Sequence, residues 1–146
     1  MIRNFLFLMI FAIAVSAEPA GRFIHEKGYV RDTTHHLLWQ DTDAVAKNAR
    51  EWHEAKAYCA NLEIEEIRGW RLPTEEELLS IVDFMVIDPA IYPTFKAVLS
   101  EDYWTAQRNG KKAKSVYFGS GCTNDEDLKK KLWVRCVKTV STSTNR

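Results

Sequence analysis

Gly69-Trp70-Arg71-Leu72-Pro73-Thr74-Glu75-Glu76-Glu77-Leu78 joins a loop to the start of a helix. Thr74 and Glu77 have the spacing of a capping box. The Thr74 hydroxyl accepts from the Glu77 amide, while the Glu77 carboxylate reaches back to the Thr74 N–H. Pro73 holds Leu72 extended, so the chain enters this helix from a loop or strand. Glu75, Glu76 and Glu77 all sit where the helix dipole favours negative charge. Capping therefore explains the helix start. It leaves the preceding Trp70-Arg71-Leu72-Pro73 word unexplained.

Working outward, apolar spacing predicts two helices. Trp52, Ala55, Cys59 and Leu62 recur at three- and four-residue steps, which predicts a helix from Ala46 to Leu62. The second is expected from Glu75 to about Val86, with Leu78, Leu79, Val82, Met85 and Val86 facing inward, and with Asp88-Pro89 as its stop. Short strands are expected on either side of a Glu26-Lys27-Gly28 turn, at Phe23-Ile24 and Tyr29-Val30, followed by His36 to Gln40. In the last third, Tyr103-Trp104-Thr105-Ala106 and Ser115-Val116-Tyr117-Phe118 flank a loop containing Asn109-Gly110, a hairpin signal. Leu132 to Val137 reads as a closing strand, with Leu132, Val134 and Cys136 on one face and Trp133, Arg135 and Val137 on the other. Two helices between β segments give an α+β fold with a small, mostly antiparallel sheet.

The ends read differently. Arg3, the apolar run from Phe5 to Val15 and the small residues Val15-Ser16-Ala17 form an export-signal pattern over residues 1–17. That run is about half the ~20 residues a spanning helix needs, so no membrane span is expected in the mature chain. Residues 18–140 are then expected to form one domain, with a polar tail over 141–146. The expected location is the periplasm or outside the cell.

Lysine plus arginine and aspartate plus glutamate balance at 20 each, which argues against a general nucleic-acid binder. The charge is nevertheless unevenly placed. Asp41 to Glu77 holds ten acidic and five basic residues, whereas Arg108 to Lys138 holds nine basic and three acidic. The basic stretch is a candidate anion-binding face.

Cys59 lies on the apolar face of the first helix and Cys136 on the Leu132–Val134 face of the last strand. Both point to the core, and an exported chain meets oxidising conditions. A Cys59–Cys136 bridge is therefore expected; the alternative is two buried free thiols. Cys122, between Gly119-Ser120-Gly121 and an acidic run, reads as the odd cysteine on a polar loop, free or paired to another chain in an oligomer.

The ordered set Arg22-Phe23, Asp32-Thr33, Leu38-Trp39-Gln40, Ala57-Tyr58-Cys59, Trp70-Arg71-Leu72-Pro73-Thr74, Glu77-Leu78, Tyr103-Trp104 and Val134-Arg135-Cys136-Val137 resembles a family of secreted bacterial domains. That family is typified by the C-terminal domain of a Legionella collagen-like adhesin (Lcl). The resemblance spans nearly all of the expected mature chain. It implies kinship with C-type-lectin-like domains and, through Arg71-Leu72-Pro73-Thr74, with the formylglycine-generating group. In the lectin-like fold a disulfide ties the first helix to the last strand, which agrees with the Cys59–Cys136 expectation.

The adhesin domain's association with sulfated polysaccharides implies an anionic glycan or surface polymer as ligand. The basic residues offered for it are Arg108, Lys111, Lys112, Lys114, Lys129, Lys130, Lys131 and Arg135, since ammonium and guanidinium groups suit sulfates and carboxylates. Trp104, Tyr117 and Trp133 are the aromatic candidates, against a plain core role. The alternative is an assembly module with an envelope protein as partner. The formylglycine-generating enzymes use a closely spaced cysteine pair, and Cys122 and Cys136 are fourteen positions apart. No catalytic residue or cofactor is expected. Asn124 to Asp127 are hard oxygen donors, yet adjacent acids do not all converge on one ion. His25, His35, His36 and His53 lack zinc spacing, so no metal site is expected.

Overall fold

The computed structural model describes residues 21–141. The export signal expected at residues 1–17 and residues 142–146 of the expected tail lie outside them. The chain is α+β, with two helices and two small antiparallel sheets. The first sheet has the order β1-β2-β3-β7, from β1 (Phe23–Glu26), β2 (Tyr29–Asp32), β3 (Leu37–Gln40) and β7 (Val137–Thr139). The second is the meander β4 (Asp102–Asn109), β5 (Lys112–Tyr117) and β6 (Cys122–Asp127). Helix α1 spans Trp52–Asn61 and α2 spans Glu75–Leu79.

The turns form where the sequence places them. Glu26 pairs with Tyr29 across Lys27-Gly28. Gly28 has φ +81°, and a Cβ there would lie 2.9 Å from Ile64 Cγ2. Asn109 pairs with Lys112 across Gly110-Lys111, closing the expected hairpin. Between Trp104 and Arg108 the β4–β5 register shifts. The bulge puts the edge of β4 against the Trp70–Thr74 word, where the Ala106 amide donates to the Pro73 carbonyl at 2.7 Å.

Strand β3 is buried along its whole length. Its alternating side chains serve two cores: Leu37 and Trp39 pack with Leu78, Ile81, Phe95, Tyr103 and Phe118, and Leu38 packs with Trp52, Cys59, Trp70, Trp104 and Leu132. The second core holds the Cys59–Cys136 disulfide, which spans 77 positions.

Both helices are shorter than their apolar spacing predicts. Helix α1 begins at Trp52, not Ala46; a 3₁₀ turn occupies Asp43–Ala46. A Glu51–Glu54 capping box starts α1, and Arg50, just before it, bridges Leu132. Helix α2 ends at Leu79, and Met85 and Val86, expected inside, are 73% and 39% exposed. The Asp83 carboxylate accepts from the Met85 amide at 2.9 Å, a local bond that competes with a helical turn. The Asp88 and Ala90 amides then donate to Gly119 and Phe118 carbonyls, drawing the chain toward the second sheet.

The closing strand also differs. Leu132 and Trp133 make isolated bridges to Arg50 and Tyr103, and a regular ladder begins only at Val137. The segment changes partner every residue or two, so no ladder accumulates before β7. Cys122 opens an edge strand, not a loop.

Candidate functional site

The Trp70–Thr74 word is held together by hydrogen bonds that begin with the capping box. Thr74 Oγ1 accepts from the Glu77 amide at 3.1 Å, and the Glu77 carboxylate accepts from the Thr74 amide at 3.0 Å. Arg71 grips the same carboxylate with both terminal nitrogens, at 2.8 and 2.9 Å. It also donates to Thr139 Oγ1 at 2.8 Å, and its backbone pairs with Val137. Burial by itself raises the Glu77 pKa, but the Arg71 and Thr74 hydrogen bonds outweigh it and leave the carboxyl below its usual range. Trp70 and Leu72 point into the second core. The word therefore latches α2 to β7.

A second ionic knot explains Arg135. Its side chain is fully buried and 3.1 Å from Asp41, also fully buried. It donates to the Gln40 carbonyl at 2.6 Å and to the Ala97 carbonyl. Asp41 in turn accepts from the Lys96 and Ala97 amides at 2.9 and 3.0 Å. Arg135 is thus removed from the expected ligand set, because its cation is enclosed and already paired.

The other basic candidates divide into two groups. Lys114 is 3.1 Å from Asp125 and Lys130 is 2.8 Å from Glu126. That Glu126 hydrogen bond raises the Lys130 pKa. The first pair forms because β5 and β6 register Lys114 opposite Asp125, the second because Lys130 follows Glu126 by four positions, so part of the basic stretch is neutralised by the acidic run beside it. Arg108, Lys111, Lys112, Lys129 and Lys131 are exposed and, among the described residues, have no carboxylate within ion-pairing distance. The Leu128 amide donates to the Lys111 carbonyl at 3.0 Å, bringing the hairpin tip to the 128–131 loop. Lys111 and Lys129 line one cavity of about 420 Å³, together with His53, Leu128 and the carboxylates of Glu51 and Asp127.

Of the aromatic candidates, Trp104 is wholly buried and donates to the Arg50 carbonyl; Tyr117 and Trp133 are half-buried. The aromatic beside the basic end is Trp52, which the sequence offers only as a core residue. Lys56 Nζ lies 5.6 Å and the Arg108 guanidinium 5.9 Å from its ring centre, and His53 meets it edge-on at 5.1 Å. Among the described residues no group of three or more His, Cys, Asp or Glu side chains is placed to hold a metal ion. Nor is any described helix long and apolar enough to cross a membrane.

A different surface lies at the far end of α2. Phe84, Met85 and Ile87 are 67%, 73% and 72% exposed. A Cβ on Gly121 would lie 2.7 Å from a Phe84 ring carbon, so this apolar loop touches the turn that carries the exposed free thiol of Cys122.

Comparison with known proteins gives one assignment: the family model of the Lcl C-terminal domain matches residues 28–138. The matched span runs from the β1–β2 turn into β7 and includes the latch and both bridged cysteines. No curated protein matches the chain.

Proposed function

Because the chain belongs to the Lcl C-terminal domain family, we propose that it is an exported, non-catalytic adhesion module that holds an anionic polysaccharide or surface polymer. The ligand-binding residues are Arg108, Lys111, Lys112, Lys129 and Lys131. The observation that supports this reading most is their exposed charge, unpaired among the described residues, where the β4–β5 hairpin meets the 128–131 loop. Lys114 and Lys130 contribute less, being shared with Asp125 and Glu126. The disulfide fits an oxidising location, periplasmic or extracellular. Its link from α1 to the segment entering β7 fits a C-type-lectin-like fold.

Binding of the purified chain to dextran sulfate, polygalacturonate and neutral dextran tests the proposal. The two anionic polymers bind, the neutral one does not, and Lys111→Glu with Lys112→Glu and Lys129→Glu removes binding without changing the melting curve. A preference for neutral dextran, or full binding by the triple variant, contradicts it.

The apolar loop beside Cys122 favours a second reading, an assembly module that pairs with an envelope protein or another copy. On that reading the oxidised chain runs as a disulfide-linked species through Cys122, and Phe84→Ser with Ile87→Ser abolishes it. A formylglycine-generating chemistry has less support, since Cys136 is bonded to Cys59 and not free to act with Cys122.

A further inference from the structure

Resting on the polysaccharide reading above, we propose that the cavity between α1 and the Trp70–Leu72 segment is a subsite for one acidic sugar ring, a pyranose carrying a carboxylate or a sulfate. The cavity measures about 300 Å³ and is lined by Trp52, Lys56, Ala60, Trp70, Arg71, Leu72 and Ala106. That volume stands at the low end of the roughly 300–1,000 Å³ of small-ligand sites, room for a single ring and not for a stretch of polymer.

Its chemistry is that of an apolar floor with a cationic rim. Trp52 and Trp70 are fixed from behind, because their indole N–H groups donate to the Thr105 carbonyl at 2.9 Å and the Ile67 carbonyl at 2.8 Å. Neither indole N–H is therefore available to a ligand; Trp52, Trp70 and Leu72 are only 5%, 3% and 3% exposed, so they close the back of the cavity and offer a sugar's C–H groups narrow apolar edges, not a full stacking face. Among the described residues no aspartate or glutamate lines this cavity, unlike the neighbouring one with Glu51 and Asp127.

The charge at the rim comes from Lys56, which lines the cavity, and from Arg108, which stands beside Trp52 just outside the lining. Both are exposed and within 6.0 Å of the Trp52 ring centre, a placement that holds a cation beside the floor. Arg71 plays a different part. Its terminal nitrogens are committed to Glu77 and Thr139, so it forms a rigid wall and the ligand's anion falls to Lys56 and Arg108. At the start of α1 the capping box engages the Glu51 and Glu54 amides and the Trp52 amide donates to the Leu128 carbonyl, which disfavours the helix end as a competing anion site. Even the β4 bulge contributes, by setting Ala106 into the lining where a larger side chain would fill the space.

The test uses the full mature chain titrated with trigalacturonate, a sulfated maltotriose and neutral maltotriose, followed by tryptophan fluorescence and calorimetry. At least one anionic trisaccharide binds and the neutral one does not; the stronger of the two identifies the anion. Ala60→Trp fills the cavity from the exposed face of α1, and Lys56→Glu reverses its rim. Each weakens the trisaccharide at least tenfold, and Lys56→Arg restores it. Unaltered trisaccharide binding by both Ala60→Trp and Lys56→Glu overturns the subsite. So does wild-type binding to polygalacturonate without binding to either anionic trisaccharide, a result that leaves the polymer reading standing. Failure of the wild-type chain to bind any anionic polymer removes both.

Discussion

Replacing Thr74 with alanine separates a structural latch from a ligand site. The substitution deletes the hydroxyl that accepts the Glu77 amide at 3.1 Å but leaves the Thr74 amide on the Glu77 carboxylate. Loss of such a cap costs about 0.5–2 kcal/mol. A value near 1 kcal/mol is expected, because Arg71 still holds Glu77 from the other side. That corresponds to a fall in melting temperature of roughly 3–6 °C for a domain of this size. Thr74→Ser retains the cap and restores most of the loss. Arg71→Met provides the companion measurement. The Arg71 and Glu77 side chains are 41% and 21% exposed, so solvent screens the pair and its loss adds about 0.5–1 kcal/mol, well below a buried pair. Urea unfolding of the variants, with polygalacturonate binding measured alongside, gives the answer. If Thr74→Ala abolishes polymer binding while its unfolding curve overlays the wild type, the latch interpretation is wrong.

Four further outcomes follow from the same contacts. Removing the disulfide as Cys59→Ala with Cys136→Ala costs up to about 4–5 kcal/mol in the loop-entropy account for a closure of 77 positions; urea unfolding showing less than 1 kcal/mol would refute that. In the wild-type chain Cys122 reacts with a thiol reagent without denaturant, and the bonded Cys59 and Cys136 do not. Arg135→Met deprives the buried Asp41 carboxylate of its guanidinium, leaving it to the Lys96 and Ala97 amides and to His25 at 3.2 Å, and costs about 3 kcal/mol, measured by the same unfolding, with no specific effect on polymer binding in the folded fraction. Acid weakens the fold through Asp32 and Glu77. Burial raises both pKa values, but hydrogen bonds from Arg22 and His35 on Asp32, and from Arg71 and Thr74 on Glu77, leave both lowered. Their stabilisation is complete above the ordinary values of 3.8 and 4.5 and is lost as pH falls through the lower folded ones. Unfolding free energy measured from pH 6 to pH 2 therefore declines below about pH 4, and Glu77→Gln flattens part of that decline.

Local chemistry made several elements legible in the sequence. The Thr74–Glu77 box and the Asn109-Gly110 turn need only neighbouring residues, and both form where their motifs lie. The Cys59–Cys136 bridge was legible because each cysteine shares a face with apolar residues of its own segment. What failed depends on partners far along the chain. Arg135 reads as one more surface cation until Asp41, 94 positions away, encloses it. Lys114 looks free until the β5–β6 register sets Asp125 beside it; Lys130 pairs locally with Glu126, four positions earlier, a spacing the basic stretch alone does not reveal. Strand β6 itself has almost no hydrophobic signal, since it is an exposed edge. The run from Leu78 to Val86 keeps a helical period beyond the point where Asp83 turns the chain. Trp52 was visible as a core residue and its place beside Lys56 is the four-residue step of α1, but its place beside Arg108 depends on how β4 packs across the chain, which no short motif announces.

The central claim is that unpaired lysines and Arg108 bind an anionic polymer electrostatically. Its most direct measurement is the affinity of the wild-type chain for dextran sulfate across a sodium chloride series from 0.05 to 1 M. Exposed charges are screened as the Debye length falls from about 10 Å at 0.1 M to about 3 Å at 1 M. Binding is therefore predicted to weaken steeply and continuously with salt. An affinity that stays constant across the series contradicts the claim.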